Sequence, residues 1–290
     1  MENRNISVKK LVDDFNARLS EIYNAGEISQ ILYMLFDEYL QWTKTRVHLL
    51  YSEEIPEAAL ALFNRALSDL LQGRPVQYIL GKAWFNGSLL HVGPGVLIPR
   101  PETEELCEII GATLAGSTGM PLSILDVGTG SGCIAIDLKK RFPQAVVTAV
   151  DASSGALEIA RANATANQAE INFIQADILG DTHLTVPGSF SVIVSNPPYV
   201  TESEKPAMNR NVTDFEPAMA LFVTDGDPLQ FYRVITGFAA DRLASPGYLF
   251  FEINERFGRE VQKLGCSFGF SQVEILQDIH GKDRFVKANR

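Results

Sequence analysis

The chain has 290 residues, 46% hydrophobic and 21% charged, which is enough apolar material for a folded core and too much for a chain disordered throughout. Thirty-five acidic residues against 25 basic give a net charge of −10, with net −1 in residues 1–100 and net −9 in the other 190. No large cationic field of the kind that holds phosphates nonspecifically is therefore available to the second part, and 22 Gly with 14 Pro exclude a collagen-like or low-complexity chain.

Residues 6–72 read as helices. Val8, Leu11, Val12, Phe15, Leu19 and Ile22 recur at steps of three and four, as do Ile28, Ile31, Leu32, Leu35, Phe36 and Tyr39. A third stripe follows Pro56 with Leu60, Phe63, Leu67, Leu70 and Leu71, and Gly73 is placed to cap it. Three helices in a small bundle are expected, as a domain spanning residues 1–75. From Pro75 to Pro99 the period falls to about two, with Gly81, Gly87 and Gly93-Pro94-Gly95 as turns, so residues 76–100 are expected as a β-hairpin linker.

Residues 101–290 alternate strands with helices. Strands are expected at Ser123–Gly128, Ala145–Asp151, Ile171–Asp177, Phe190–Asn196 and Tyr248–Ile253, with helices at Cys133–Arg141, Ala156–Ala166, Leu229–Leu243 and Gly258–Gly265. Val273–Ile279 and Arg284–Ala288 suit a closing hairpin. The fold class is α/β: a doubly wound, mostly parallel sheet preceded by a small helical bundle.

Cys107, Cys133 and Cys266 are widely spaced and odd in number, as expected of reduced thiols in a cytoplasmic protein. His48, His91, His183 and His280 show no zinc spacing, so no metal is expected. The start lacks a signal-peptide pattern and no apolar run reaches the roughly 20 residues of a membrane helix, so no membrane partner is expected.

Three signals carry chemistry. Asp126-Val127-Gly128-Thr129-Gly130-Ser131-Gly132 ends a strand and opens a helix. Its glycines permit a tight turn and let a ligand approach the backbone, or they serve a plain strand-to-helix turn. Cys133 stands where a dinucleotide fingerprint would have its third glycine. Asp151 ends the next strand 19 residues beyond Gly132, where it can accept from two ribose hydroxyls or cap the following helix. Asp177 closes the third strand, beside Ile178. Lastly, Asn196-Pro197-Pro198-Tyr199 closes the fourth strand. Two prolines fix the backbone and remove two donors, so Asn196 and the Pro197 carbonyl become aimed acceptors beside an aromatic ring. A planar NH2 group suits such a bend, which otherwise reads as a surface turn.

Together these motifs resemble those of Rossmann-like methyltransferases acting on planar amino groups. Gly73-Arg74-Pro75-Val76-Gln77-Tyr78 and Leu97-Ile98-Pro99-Arg100-Pro101-Glu102-Thr103-Glu104 narrow the likeness to the family that methylates a glutamine side-chain nitrogen (N5) in peptide chain release factors. That family has a helical N-terminal domain, a β linker and a catalytic domain, so the likeness covers nearly the whole chain. Residues 211–217 and 281–285 agree with it. Where the family often shows Glu-x-Gly-x-x-Gln, this chain has Glu252-Ile253-Asn254-Glu255-Arg256-Phe257, and Ile178 stands where relatives are often aromatic.

The resemblance implies S-adenosylmethionine as methyl donor, leaving S-adenosylhomocysteine. Gly128, Thr129, Gly130, Ser131, Gly132, Asp151, Asp177, Ile178 and Asn196 would bind it. It also implies class 1 release factors as substrate, docked by the helical domain. Asn196, Pro197 and Tyr199 would be catalytic, with Pro198 joining them in holding the glutamine. The rival reading is a nucleic-acid base methyltransferase of the adenine N6 type, whose target is also a planar NH2. The acidic catalytic part and the lack of a Lys/Arg-rich segment or separate target-reading domain weigh against it, and direct nucleic-acid binding is not expected. Non-catalytic cofactor binding is disfavoured by the intact bend, and a nicotinamide dehydrogenase by Cys133. Arg100, Glu102, Glu104 and Glu105 either line a substrate cleft or start a helix.

Overall fold

The Ser7 hydroxyl accepts from the Lys10 N–H at 3.2 Å and opens helix α1 (Val8–Leu19) in the computed structural model, which describes residues 6–115, 122–180 and 186–290. His183 lies outside the described residues. Asn24 and Glu27 form a reciprocal capping box at the start of α2 (Ala25–Leu40). Thr43 caps the short α3 (Lys44–Leu49), and α4 (Glu57–Leu71) follows Pro56. Beyond α4, Gly73 is left-handed at φ +85°, as the stripe ending there predicts. The apolar faces meet on Phe63, whose ring lies 4.9 Å from Phe36, 5.2 Å from Tyr39 and 6.3 Å from Phe15, centre to centre.

Three sequence expectations change here. Ile22 falls past the end of α1 and is 48% exposed. The bundle also contains α3, whose one buried residue, Val47, is too little periodicity to read. Residues Val76–Leu80 form a helix, α5, rather than a strand. Pro75 precedes α5 and a left-handed Gly81 ends it, and five residues cannot distinguish one helical turn from alternation.

The chain divides into two units: Met1–Gly81 with Asn209–Phe215, and Lys82–Met208 with Glu216–Arg290. A short helix, α9 (Arg210–Thr213), lies in the segment that belongs to the first.

The second unit opens with an antiparallel hairpin, β1 (Lys82–Phe85) and β2 (Ser88–His91). Phe85 and Leu90 are buried, while Trp84 and Leu89 face out. Helix α6 (Pro101–Leu114) follows, with proline in its first turn. Next come β3 (Ser123–Val127), α7 (Cys133–Arg141), β4 (Val146–Asp151), α8 (Ser154–Ala166), β5 (Asn172–Gln175) and β6 (Phe190–Ser195). Short strands β7 (Val200–Thr201) and β8 (Phe222–Val223) pair with each other. They precede α10 (Gln230–Arg242), β9 (Leu243–Glu252), α11 (Gly258–Ser267), β10 (Gln272–Gln277) and β11 (Asp283–Asn289).

Among the described residues the main sheet has seven strands in the order β10-β11-β9-β6-β3-β4-β5. Strands β9, β6, β3, β4 and β5 run parallel, and β11 alone runs against them, pairing antiparallel with both β9 and β10. Residue parity splits the core. Ile124, Val192, Val194 and Phe250 pack with α6 and α7 on one face, while Leu125, Val127, Ile193, Leu249 and Phe251 pack with α10 and α11 on the other. Strands buried on both faces need continuous apolar runs, which is how they read in the sequence. The chain order reverses direction between β3 and β6, where a doubly wound sheet opens its ligand crevice.

Phe63→Ala is expected to destabilise the helical unit by about 3–5 kcal/mol, read as a lower urea midpoint of its transition. An unchanged midpoint would contradict the packing described.

Candidate functional site

Loops at the carboxyl ends of β3, β4, β5 and β6 surround a cavity of about 410 Å³, within the roughly 300–1,000 Å³ of ligand sites. Gly128, Thr129, Gly130 and Ser131 line it after β3, Asp151 after β4, Asp177 and Ile178 after β5, and Asn196, Pro197 and Pro198 after β6. Apolar walls come from Leu97, Pro99, Phe222 and Phe231, and Met219, 63% exposed, stands among the lining residues.

The glycine loop is held from below. Gly128 and Thr129 donate their N–H groups to the Val150 carbonyl at 2.8 and 3.0 Å. Gly130 N–H donates to Asp151 Oδ2 at 2.9 Å, and Ser153 N–H to Asp151 Oδ1 at 2.9 Å. The helix-cap alternative for Asp151 falls to Ser153, which caps α8. At Gly130 (φ +54°) a Cβ would meet no protein atom within 4 Å, so the loop fronts open space. Gly132 differs, since it does not line the cavity. A Cβ there would lie 3.2 Å from the Ala160 Cβ, so this glycine serves the close approach of α7 to α8.

Asn163 of α8, which sequence reasoning passed over, is fully buried. Its amide group donates to the Ser131 and His91 carbonyls, both at 2.9 Å, and its oxygen accepts from His91 N–H at 2.7 Å. After β5, Asp177 Oδ1 accepts from Leu179 N–H at 2.9 Å, and the buried Ile178 reaches the cavity.

The bend after β6 is anchored by residues distant in sequence. Asn196 Nδ2 donates to Thr103 Oγ1 at 3.1 Å, and Thr103 Oγ1 donates to Glu252 Oε2 at 2.7 Å. Tyr199 does not line the cavity as expected. Its ring packs on the inner core, and its hydroxyl donates to Glu252 Oε1 at 3.0 Å, because a buried phenol needs a partner. Burial and the nearby Glu252 charge hold that phenol well above its ordinary pKa. Asn254, at the family's frequent glycine position, donates to the Tyr199 carbonyl at 3.2 Å and to Glu204. Thr103 and Glu252 escaped sequence reasoning as a pair, although an acid ending the apolar strand 248–253 is the same signal that marks Asp126 and Asp151.

Arg100 lines the cavity and pairs with Glu216 at 2.5 Å, while Ile98 N–H donates to the second Glu216 oxygen at 3.0 Å. Glu102 and Glu104 lie in the first turn of α6, so this stretch both starts a helix and supplies a cavity wall. Cys133 lines the cavity too, but burial pushes its thiol up to about 12, which keeps it from acting as a thiolate. Neither His48, His91 nor His280 lines the cavity. No group of His, Cys, Asp and Glu able to hold a metal occurs among the described residues. None of their helices is long and apolar enough to cross a membrane.

A Methyltransferase small domain model matches residues 112–226, and a PrmC N-terminal domain model matches residues 10–81. A methyltransferase from Pyrococcus furiosus shares the fold at a TM-score of 0.51 and 18% identity, over 80% of this chain and 96% of that one. Sheet order, glycine loop and cavity position thus belong to a Rossmann-like methyltransferase. A release factor glutamine methyltransferase from Flavobacterium psychrophilum is 41% identical over 97% of this chain and 99% of its own length. One from Bacteroides thetaiotaomicron is 45% identical over 76% and 78%. With likeness of that depth from end to end, the chain belongs to the release factor glutamine methyltransferase family.

Burial raises the Asp126 carboxyl to about 7, against the pull of the Thr129 hydroxyl that donates to it at 2.6 Å. A folded-state value above the unfolded one means that the folded protein binds this proton more tightly. The resulting stability is complete below about pH 4 and lost as pH rises toward 7. Asp126→Asn, which does not ionise, is expected to gain on the wild type by up to about 4 kcal/mol between pH 4 and pH 8. Urea unfolding at both pH values measures the gain, and a pH-independent difference would refute it.

Proposed function

We propose that this protein transfers the methyl group of S-adenosylmethionine to the side-chain nitrogen of a glutamine in class 1 peptide chain release factors, in the cytoplasm. The observation that carries the reading is the Asn196 bend, whose carboxamide has its NH2 tied to Thr103 while bend and glycine loop line one cavity. Release factor glutamine methyltransferase is also the name carried by its relatives at 41% and 45% identity.

The residues present fit the methyl donor. The space in front of Gly128 and Gly130 is open to at least 4 Å, and Asp151 borders it with both oxygens already oriented by backbone N–H groups. Each oxygen keeps a lone pair for a ribose hydroxyl. Asp177 and Ile178 would meet the adenine, with an aliphatic side chain where relatives often stack an aromatic one. When bound, S-adenosylmethionine supplies an electrophilic methyl carbon on a sulfonium.

A glutamine amide nitrogen is a poor nucleophile because its lone pair is delocalised, the resonance that gives the peptide bond its barrier of about 18–20 kcal/mol. A base gains little from the neutral amide. The chain's contribution is to hold the nitrogen: Asn196 Oδ1 and the Pro197 carbonyl accept its two N–H groups, and the prolines keep these acceptors in place. Positioning of this kind supplies as much as about 7–11 kcal/mol. As the nitrogen becomes more positive its N–H groups donate more strongly, so both hydrogen bonds tighten in the transition state. As the C–N bond forms the methyl's bond to sulfur would break, leaving S-adenosylhomocysteine, and the proton from the now acidic nitrogen would pass to solvent. Tyr199 serves from behind, as an anchor of the bend. The helical unit is the part we assign to docking the release factor.

Mass spectrometry of a purified release factor after incubation with enzyme and donor is expected to find one added methyl on a glutamine; its absence would refute the reading. Asn196→Ala is expected to lower kcat by about 10²–10³-fold while calorimetry finds donor affinity within about threefold of wild type. A variant keeping half its turnover would end Asn196's assignment. Asp151→Ala should do the reverse, weakening donor binding about 10-fold or more, and an unchanged Kd would remove Asp151 from the binding residues.

A further inference from the structure

We propose that Glu252 and Thr103 form a relay that fixes which end of the Asn196 carboxamide faces the substrate, making Glu252 a positioning residue for methyl transfer. The proposal rests on the reading of Asn196 as an acceptor for an NH2 group.

A carboxamide is nearly symmetric in shape, yet its two ends are opposite in hydrogen-bonding sense. Turned one way, Asn196 offers an oxygen to the glutamine NH2. Turned the other way, it offers an NH2, and two donors face each other. The shape of the bend does not choose between these states, so a polar neighbour must.

Thr103 Oγ1 is that neighbour, at 3.1 Å from Nδ2. A hydroxyl has one proton and can either give it to Asn196 or take one from it. Here its proton goes to Glu252 Oε2 at 2.7 Å. Glu252 is 1% exposed, and its two side-chain oxygens each accept from a hydroxyl, Oε2 from Thr103 and Oε1 from Tyr199. Thr103 is left with lone pairs alone to show Asn196, so Asn196 must turn its NH2 toward Thr103 and its oxygen away.

The other Glu252 oxygen accepts from the Tyr199 hydroxyl at 3.0 Å, so one buried group grips the bend at its first residue through Thr103 and at its last residue directly. Tyr232 donates to the Glu252 backbone carbonyl at 3.2 Å, fixing the strand end that carries the acid. Burial pushes the Glu252 carboxyl above its ordinary range, the Thr103 and Tyr199 hydroxyls and the Arg284 charge pull it back, and the Glu102 charge adds to the rise. Thr103 lines the cavity and Glu252 does not, so Glu252 acts only through its two partners.

The experiment compares Glu252→Gln, Thr103→Val, Thr103→Ser and the Glu252→Gln/Thr103→Val double variant in the full chain. Glu252→Gln and Thr103→Val are each expected to lower kcat by about 10–100-fold, with KM for the release factor and Kd for S-adenosylmethionine within about twofold. Thr103→Ser, which keeps the hydroxyl, is expected to restore most of what Thr103→Val loses. The double variant should be no worse than the poorer single one, because both break the same relay. In 15N-asparagine-labelled protein, the Asn196 side-chain NH2, assigned by its loss in Asn196→Asp, should show one slowly exchanging proton in wild type and Thr103→Ser. Glu252→Gln and Thr103→Val should lose that protection. Losses that multiply in the double variant, single variants within about twofold of wild-type kcat, or unchanged Asn196 protons would each overturn the relay. If Glu252→Gln does not fold, the contrast between Thr103→Val and Thr103→Ser decides. A wild-type protein that methylates no release factor would refute the proposed function, and the Asn196 protons would still judge the relay.

Discussion

Where a parallel strand stops, the loop that follows carries N–H and O–H groups that the sheet no longer satisfies. In this protein an acid within two residues of a strand end takes them up. Asp126 receives the Thr129 hydroxyl, Asp151 the N–H groups of Gly130 and Ser153, Asp177 that of Leu179, and Glu252 the hydroxyls of Thr103 and Tyr199. The loops these carboxylates hold line one side of the cavity.

Such an arrangement has a cost. Asp126 and Glu252 are withdrawn from water, and burial pushes both carboxyls above their ordinary pKa. Hydrogen bonds from neighbouring hydroxyls offset only part of that penalty. Two apolar clusters, one on each face of the sheet, supply the surplus stability that lets these acids stay. Pre-set acceptors need no rearrangement when charge develops on a bound nitrogen, so the same burial that weakens the fold favours catalysis.

How much of this could be read beforehand follows from distance along the chain. The glycine loop, Asp151 and the Asn196 bend are local patterns, and the structure brings them to one cavity. Periodicity likewise marked the buried strands and most long helices, whereas α6 was foreseen only as one reading of the acids that start it. It did not reveal α3, with its one buried residue, or α5, whose single turn mimics alternation. Tyr199 was legible as part of a motif, but the direction of its hydroxyl was not, because that depends on a carboxylate 53 residues away. Thr103 and Glu252 are 149 residues apart, and only the adjacency of α6 to the end of β9 makes them neighbours. Gly132 was read with the ligand loop, although its missing side chain makes room for another helix.

The Asn163 side chain has a mechanical consequence. Through one amide it binds a turn that fronts the cavity, at Ser131, and a two-stranded ribbon, at both polar groups of His91. A ribbon that small is barely stable by itself and borrows its rigidity from α8. Just past the end of that helix, Asn167 adds a second tie, to the Leu89 carbonyl at 3.0 Å. Ribbon, helix and turn are thereby tied together, so the glycine loop's last turn and the hairpin share the support of one helix.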